Sequence, residues 1–183
     1  HMDTSGGWAI WFTGLPGSGK TTLARAVQQS LQEHDISTVL LDSDEIRRLL
    51  HADKGYSSED RNRFYQDLAD LAMWLVRAGA HVLIAATANL RCYRQNARAQ
   101  IAPRFAEVWV RCSIEVCRAR DPKGLYKRAE AGQIQGFPGV DAPYEEPEAP
   151  EVIVDTDRQS LRETVKTVID TLHLIEHHET SLA

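Results

Sequence analysis

The chain has 183 residues, 43% of them apolar and 26% charged, the balance of one soluble globular domain. With 26 acidic residues against 21 Lys and Arg, its net charge of −5 argues against a general nucleic-acid or membrane-surface binder, which needs a basic face. Cys92, Cys112 and Cys117 lack a CxxC spacing, which argues against a disulfide scaffold or structural zinc and fits free thiols in a reducing cytoplasm.

Trp8 to Thr13 is a continuous apolar run that stops at Gly14, the pattern of a strand covered on both faces, as in a parallel sheet. Leu23, Ala24, Val27 and Leu31 recur at helical spacing and predict a helix from Thr21 to about Glu33. Ser37 to Leu41 reads as a second strand, ended by Asp42-Ser43-Asp44, and Ile46, Leu49 and Leu50 suggest a brief helix. A longer helix is expected from Ser58 to Ala78, capped by Ser57 or Ser58, with Phe64, Leu68, Leu71 and Leu75 as its buried stripe. Gly79 ends it, and His81 to Thr87 is a third strand, within an apolar run far short of the ~20 residues of a membrane span. A helix at Tyr93–Ile101, a strand at Glu107–Arg111, a short helix at Ser113–Arg120, a strand at Val152–Asp155 and a helix at Ser160–Leu174 complete the order.

Strands alternating with helices predict an α/β fold, an open parallel five-stranded sheet with helices on both faces and ligands bound beyond the carboxyl ends of the strands. Residues 1–183 read as a single domain, with 1–6 and 176–183 as flexible ends, the latter carrying His177 and His178. Trp8, Trp11, Trp74 and Trp109 are expected in the core. Asp121 to Pro150 breaks the pattern. It holds five of the seven prolines and four of the eleven glycines, and reads as an irregular lid or a linker.

Gly14-Leu-Pro-Gly-Ser-Gly-Lys20-Thr21 fits GxxxxGK[ST] in full, after an apolar strand and at the start of a helix. Gly14, Gly17 and Gly19 let the backbone around Ser18 wrap closely and aim N–H groups at phosphate oxygens, and the helix start adds its positive dipole end. Lys20 supplies a charge to the outer phosphates, and the Thr21 hydroxyl suits Mg²⁺. This is a nucleoside-triphosphate site. Val82 to Thr87 ends in Ala88 and Asn89 without the acid of motor ATPases, and no NKxD-type guanine reader is present. The acids instead follow the second strand. Asp42 and Asp44 can divide the work between the magnesium shell and proton acceptance from an attacking hydroxyl, although Asp44 or Ser43 can also be read as a helix N-cap. The combination points to a small-acceptor kinase.

Five stretches resemble the adenylylsulfate kinases: GLPGSGKTTLA (14–24), LDSDEIR (41–47), GYSSEDR (55–61), FAEVWV (105–110) and the long RDPKGLYKRAEAGQIQGFPGVDAPYEEPEAPE (120–151). The resemblance implies a P-loop kinase fold, usually a homodimer, that passes the γ-phosphate of Mg-ATP to the 3′-hydroxyl of adenosine 5′-phosphosulfate, a small-molecule nucleotide acceptor. It implies Asp44 as base with Lys20 and Asp42 beside it, and Thr21 with Asp42 toward the metal. ATP would meet Gly14, Gly17, Ser18, Gly19, Lys20, Thr21, Thr22, Arg120 and Thr156. Arg47, Arg61, Phe64, Lys123 and Lys127 would serve the acceptor and its phosphates, and Tyr56 and Phe137 would sandwich its adenine. From the residues alone, Arg61 falls on the inward face of its helix, where an anionic ligand and a structural carboxylate are both open. Phe137 with Tyr126 can equally anchor the lid, and Ser113 and Thr156 can be helix caps.

Three departures concern the acceptor. DGDN is DSDE here, with Ser43 and Glu45; Arg63 and Phe64 replace a glutamate and an asparagine; and ISPY reads Leu90-Arg91-Cys92-Tyr93. An apolar residue at a readout position loses about 1–3 kcal/mol of recognition. Two alternatives therefore stay open: a sister kinase for another modified nucleotide, with Arg63 and Arg91 meeting a different headgroup, and a nucleotide-binding module without turnover.

Overall fold

Successive residues of the first apolar run go to opposite sides of a sheet, which is why it has no polar position. In the computed structural model, which describes residues 1–50 and 57–176, β1 (Trp8–Thr13) lies at the centre of that sheet. Trp8, Ile10 and Phe12 pack with Leu23, Val27 and Leu31 of α1 (Lys20–Gln32) and Val168 of α7 (Leu161–Thr171). Ala9 and Trp11 pack on the other face with Leu68 and Ala72 of α3 (Ser58–Arg77) and Ala97 of α4 (Arg91–Ile101). Both faces are covered, as expected of a parallel sheet.

The sheet has five strands, all neighbours parallel, in the order β2 (Val39–Asp42), β3 (His81–Ala85), β1, β4 (Phe105–Arg111), β5 (Val152–Asp155). Registers pairing Asp42 with Ala85, Phe12 with Ala85, Thr13 with Trp109 and Arg111 with Asp155 bring every carboxyl end to one edge. Ligands of such sheets bind at that edge. Helix starts follow their caps: Ser57 Oγ accepts from Asp60 N at 3.1 Å, and on α7 Ser160 Oγ accepts from Glu163 N at 3.2 Å while donating to Glu163 Oε1 at 3.0 Å.

Boundaries shift where strand pairing decides them. β2 runs to Asp42, whose partner is Ala85, and Ser37 and Thr38 stay outside it. β3 stops at Ala85, and the chain turns away, with Ala88 at φ 43°. β4 begins at Phe105, two residues earlier than its apolar pattern suggests. Trp74 is not core: it stands 66% exposed on the outer side of α3, and Trp109 is partly open beneath Arg111.

Residues 121–150 carry structure of their own. After α5 (Ile114–Arg120), Asp121 at φ 25° turns the chain, and its carboxylate accepts from the N–H groups of Tyr126 and Lys127 to start α6 (Leu125–Glu130). Tyr126, Ala129 and Phe137 form a third apolar cluster with Cys112 and Cys117. The returning chain is pinned by α4. Arg94, 2% exposed, pairs with Glu107 at 3.0 Å and donates to the carbonyls of Ala88 and Glu145. Arg98 forks onto Glu151, which also accepts from Glu107 N at 2.8 Å.

Candidate active site

The loop from Gly14 to Lys20 is shaped by positions where a side chain has no room. A Cβ on Gly14 would lie 2.5 Å from the Val110 carbonyl, and one on Gly17 would lie 3.0 Å from that of Cys117. Gly17 (φ 80°) and Gly19 (φ 94°) adopt the left-handed backbone, and Gly19 opens α1 without a side-chain cap, so the N–H groups of the first turn point outward. Thr21 and Thr22 follow in that turn. Lys20 Nζ rests on the Leu15 carbonyl at 3.3 Å. Burial pushes its amine down to about 8, against the pull of the Asp44 carboxylate.

Across the sheet edge, β2 runs directly into α2 (Ser43–Leu49). The N-cap is Asp42, neither Ser43 nor Asp44: its Oδ1 accepts from Asp44 N at 2.9 Å. Asp42 is thereby buried, while Asp44 stands exposed at the mouth, where Lys123 Nζ donates to its Oδ2 at 2.6 Å. The charges of Asp44, Lys123 and Asp42 all act on the Lys20 amine, so these four side chains lie close together.

Arg120 and Thr156 frame the loop from the far side. Arg120 Nη2 donates to the Thr156 carbonyl at 2.9 Å, and Thr156 Oγ1 donates to the Ser18 carbonyl at 2.6 Å. With Gly17, Gly19, Thr22 and Pro122 they line a cavity of about 420 Å³, placed to take a nucleoside beside the phosphate loop. Ser113 is a cap, accepting from Val116 N at 3.4 Å. Among the described residues no cluster of three or more His, Cys, Asp or Glu can hold a metal ion. A Thr21 hydroxyl and an Asp42 carboxylate still suit Mg²⁺, which takes one or two protein donors and fills its octahedron with phosphate oxygens and water.

The acceptor-side residues divide. Arg47 is buried on α2, its guanidinium 4.0 Å over the Phe64 ring, and Phe64 is 2% exposed. Arg61 donates to the Gly136 carbonyl and so ties the start of α3 to the 121–150 segment, where its charge also acts on the Asp141 carboxylate. Phe137 lies edge-on to Tyr126 at 5.0 Å inside the third cluster, the anchoring arrangement. Lys127 is exposed on α6, and Tyr56 lies outside the described residues. Arg91 is engaged by the returning chain. Its backbone N–H donates to Glu145 Oε1 at 2.9 Å, its Nε donates to the Glu146 carbonyl at 2.7 Å, and it lies 3.5 Å from Glu148.

Sequence reasoning missed two contacts that complete the site. Tyr126 Oη donates to the Pro16 carbonyl at 2.5 Å, and Tyr144 Oη pairs with Thr13 Oγ1 at 3.0 Å, fastening the 121–150 segment to the first half of the phosphate loop and the strand end before it. Burial pushes both phenols up, Tyr144 to about 12. The tyrosines stand in KGLYK and DAPYE, but spacing alone does not reveal their partners.

A phosphate loop at the head of a parallel sheet, with an acid pair on the neighbouring strand and a covering segment, defines a P-loop kinase. A gluconokinase from Sinorhizobium meliloti shares that fold alone, at 19% identity and TM-score 0.63, with 91% of this chain and 92% of that one covered. The chain belongs to the adenylylsulphate kinase family, whose sequence model matches residues 6–155. It is 42% identical to the adenylyl-sulfate kinase of Oceanobacillus iheyensis over 92% of this chain and 85% of the relative. It is also similar to the APS kinase of Mycobacterium tuberculosis, solved in complex with AMPPNP and APS, at TM-score 0.85 and 38% identity, covering 92% and 98% of the two chains.

Proposed function

We propose that the protein transfers the γ-phosphate of Mg-ATP to the 3′-hydroxyl of adenosine 5′-phosphosulfate, giving ADP and the 3′-phosphorylated product. The observation that carries this reading is the convergence of Lys20, Asp44 and Lys123 beside the phosphate loop, in a chain of this family. As the 3′-oxygen bonds to the γ-phosphorus, the bond from that phosphorus to the β–γ bridging oxygen breaks, and ADP leaves with the electron pair. Asp44 takes the hydroxyl proton. Lys20 and the loop N–H groups hold the charge on the outer phosphates. Magnesium, when bound at Thr21 and Asp42, adds positive charge to the triphosphate.

Lys123 occupies Oδ2 of Asp44, so this oxygen meets the acceptor hydroxyl only after Lys123 moves away. The γ-phosphate offers Lys123 a stronger anionic partner, so nucleotide arrival releases the base. Residues 121–150 act as the lid that keeps water from the transfer. Arg61 and Arg47 hold the acceptor's anion, and Phe137 faces its adenine once the lid is loaded. A cytoplasmic homodimer is the proposed setting, supported for the compartment by three free cysteines.

Arg91 lends no support to a different headgroup, since it is engaged by the returning chain, while Arg63 stands exposed on α3. The test is ADP release from Mg-ATP across a panel of acceptors. Turnover is expected with adenosine 5′-phosphosulfate. Turnover only with another modified nucleotide would establish the sister kinase, and silence across the panel the non-catalytic module.

A further inference from the structure

Phe64 has no polar atom and shows only 2% of its surface. It cannot read a ligand directly. What it does touch is Arg47, whose Cζ lies 4.0 Å from the ring centroid. Arg47 is itself buried at 7% exposure, and sits three residues after Asp44 on α2, one turn along the same helix face. The ring beneath it is held in turn. Tyr65 meets Phe64 edge-on at 5.3 Å, stacks on Tyr93 at 4.5 Å, and accepts from Ala88 N at 3.0 Å through its hydroxyl. Phe64 is therefore a fixed platform, anchored through Tyr65 to the turn after β3.

We propose that Phe64 is a positioning and specificity-determining residue for the acceptor's anionic group, acting through Arg47. A guanidinium recognises oxyanions along its edge, where its N–H donors form a planar fork, and it stacks through its face. An aromatic ring under that face sets the plane of the fork without competing for its donors. The contact is also shielded from water, where the attraction of a cation for an aromatic face is greatest. Recognition is thus left to the arginine, which the ring beneath it holds in a fixed orientation. The inference rests on the proposed reading of Arg47 as an acceptor ligand, and deepens it.

The test compares Phe64→Leu, which keeps apolar bulk and removes the aromatic face, with Phe64→Tyr, which restores the face. Phe64→Met serves as a second face-removing variant should the leucine fold poorly, and melting curves accompany each protein. Phe64→Leu is expected to raise the KM for adenosine 5′-phosphosulfate about tenfold, the loss of one desolvated cation–π contact. The KM for ATP should stay within about twofold, kcat should change less than the acceptor KM, and Phe64→Tyr should recover the wild-type acceptor KM. In a double-mutant cycle, Arg47→Lys should cost less in the Phe64→Leu background than in the wild type. An unchanged acceptor KM in both face-removing variants would overturn the inference, as would equal losses for both substrates that track a lowered melting temperature. Those results, with the wild type active, leave the proposed function standing; a wild type that fails to turn over adenosine 5′-phosphosulfate refutes that function and this inference together.

Discussion

Replacing Lys20 with methionine should make the ligand-free protein more stable while abolishing nucleotide binding. Burial lowers its amine from 10.5 to about 8 even though Asp44 pulls the other way. Such a fall corresponds to about 3 kcal/mol. Lys20 is only half-buried and keeps some contact with water, so half or less of that figure is expected, about 1–2 kcal/mol. For a domain of this size that is a rise of about 2–8 °C in melting temperature. The sign follows from linkage. At pH 7 the amine is charged in the folded and unfolded chains alike, so the full penalty falls on the folded state. Between about 8 and 10.5 the folded chain has released the proton that the unfolded chain still holds, so wild-type stability gains on the variant as pH rises. Urea denaturation at pH 7 and pH 10 measures the gap, which should be largest at pH 7 and nearly closed at pH 10. A non-hydrolysable ATP analogue at a hundred times its Kd should stabilise the wild type by about 2.7 kcal/mol and leave the variant unmoved. A methionine variant no more stable than wild type at pH 7, or a gap that does not narrow, would refute the reasoning.

Asp44→Asn removes the proton acceptor and keeps the side-chain shape, so kcat should fall by about 10²–10⁴ while calorimetry shows the ATP analogue still bound; an unchanged kcat would remove Asp44 as base. Arg94→Met strands Glu107, whose carboxyl burial already raises against the opposing charges of Arg94 and Arg98. That should cost about 3–5 kcal/mol in chemical denaturation, with Glu107→Leu added in the same chain restoring most of it. A single variant of wild-type stability would show that the pair does not hold the returning chain.

The phosphate loop was legible because each of its positions answers to a local constraint. A Cβ on Gly14 collides, the φ of Gly17 and Gly19 excludes most other residues, and Lys20 and Thr21 need only stand in the first turn of a helix. The sheet was legible for a similar reason, since β1 alternates between two apolar faces. Contacts between distant segments were not. The partners of Arg91 lie more than fifty residues away, and nothing in Leu90-Arg91-Cys92-Tyr93 points to Glu145 or Glu146. α6 has six residues, too few to show a period, and its start depends on a left-handed Gly124 and the Asp121 carboxylate. Trp74 was misplaced because a large aromatic on an amphipathic helix suggests core, yet the face of α3 beside it was already filled by Leu68, Ala72 and Val76.

The two ends of the 121–150 segment are held by different chemistry, and that difference sets how the segment can move. Its returning end is clamped by Arg91 and Arg94 through the carbonyls and carboxylates of residues 145–148, one of those arginines being buried. Breaking such contacts strands charge away from water, so this end stays with α4 and the sheet. Toward the active site the contacts are of another kind: the Lys123–Asp44 pair is exposed on both sides, and Arg61 holds a single carbonyl at Gly136. Exposed ion pairs contribute about 0–1 kcal/mol and give way readily to a better partner. In the proposed reaction a triphosphate would be the better partner for Lys123 and an anionic acceptor for Arg61. Under the proposed function these two contacts are the ones the substrates displace, while the arginine clamp and the Tyr126 and Tyr144 hydroxyls keep the segment in register.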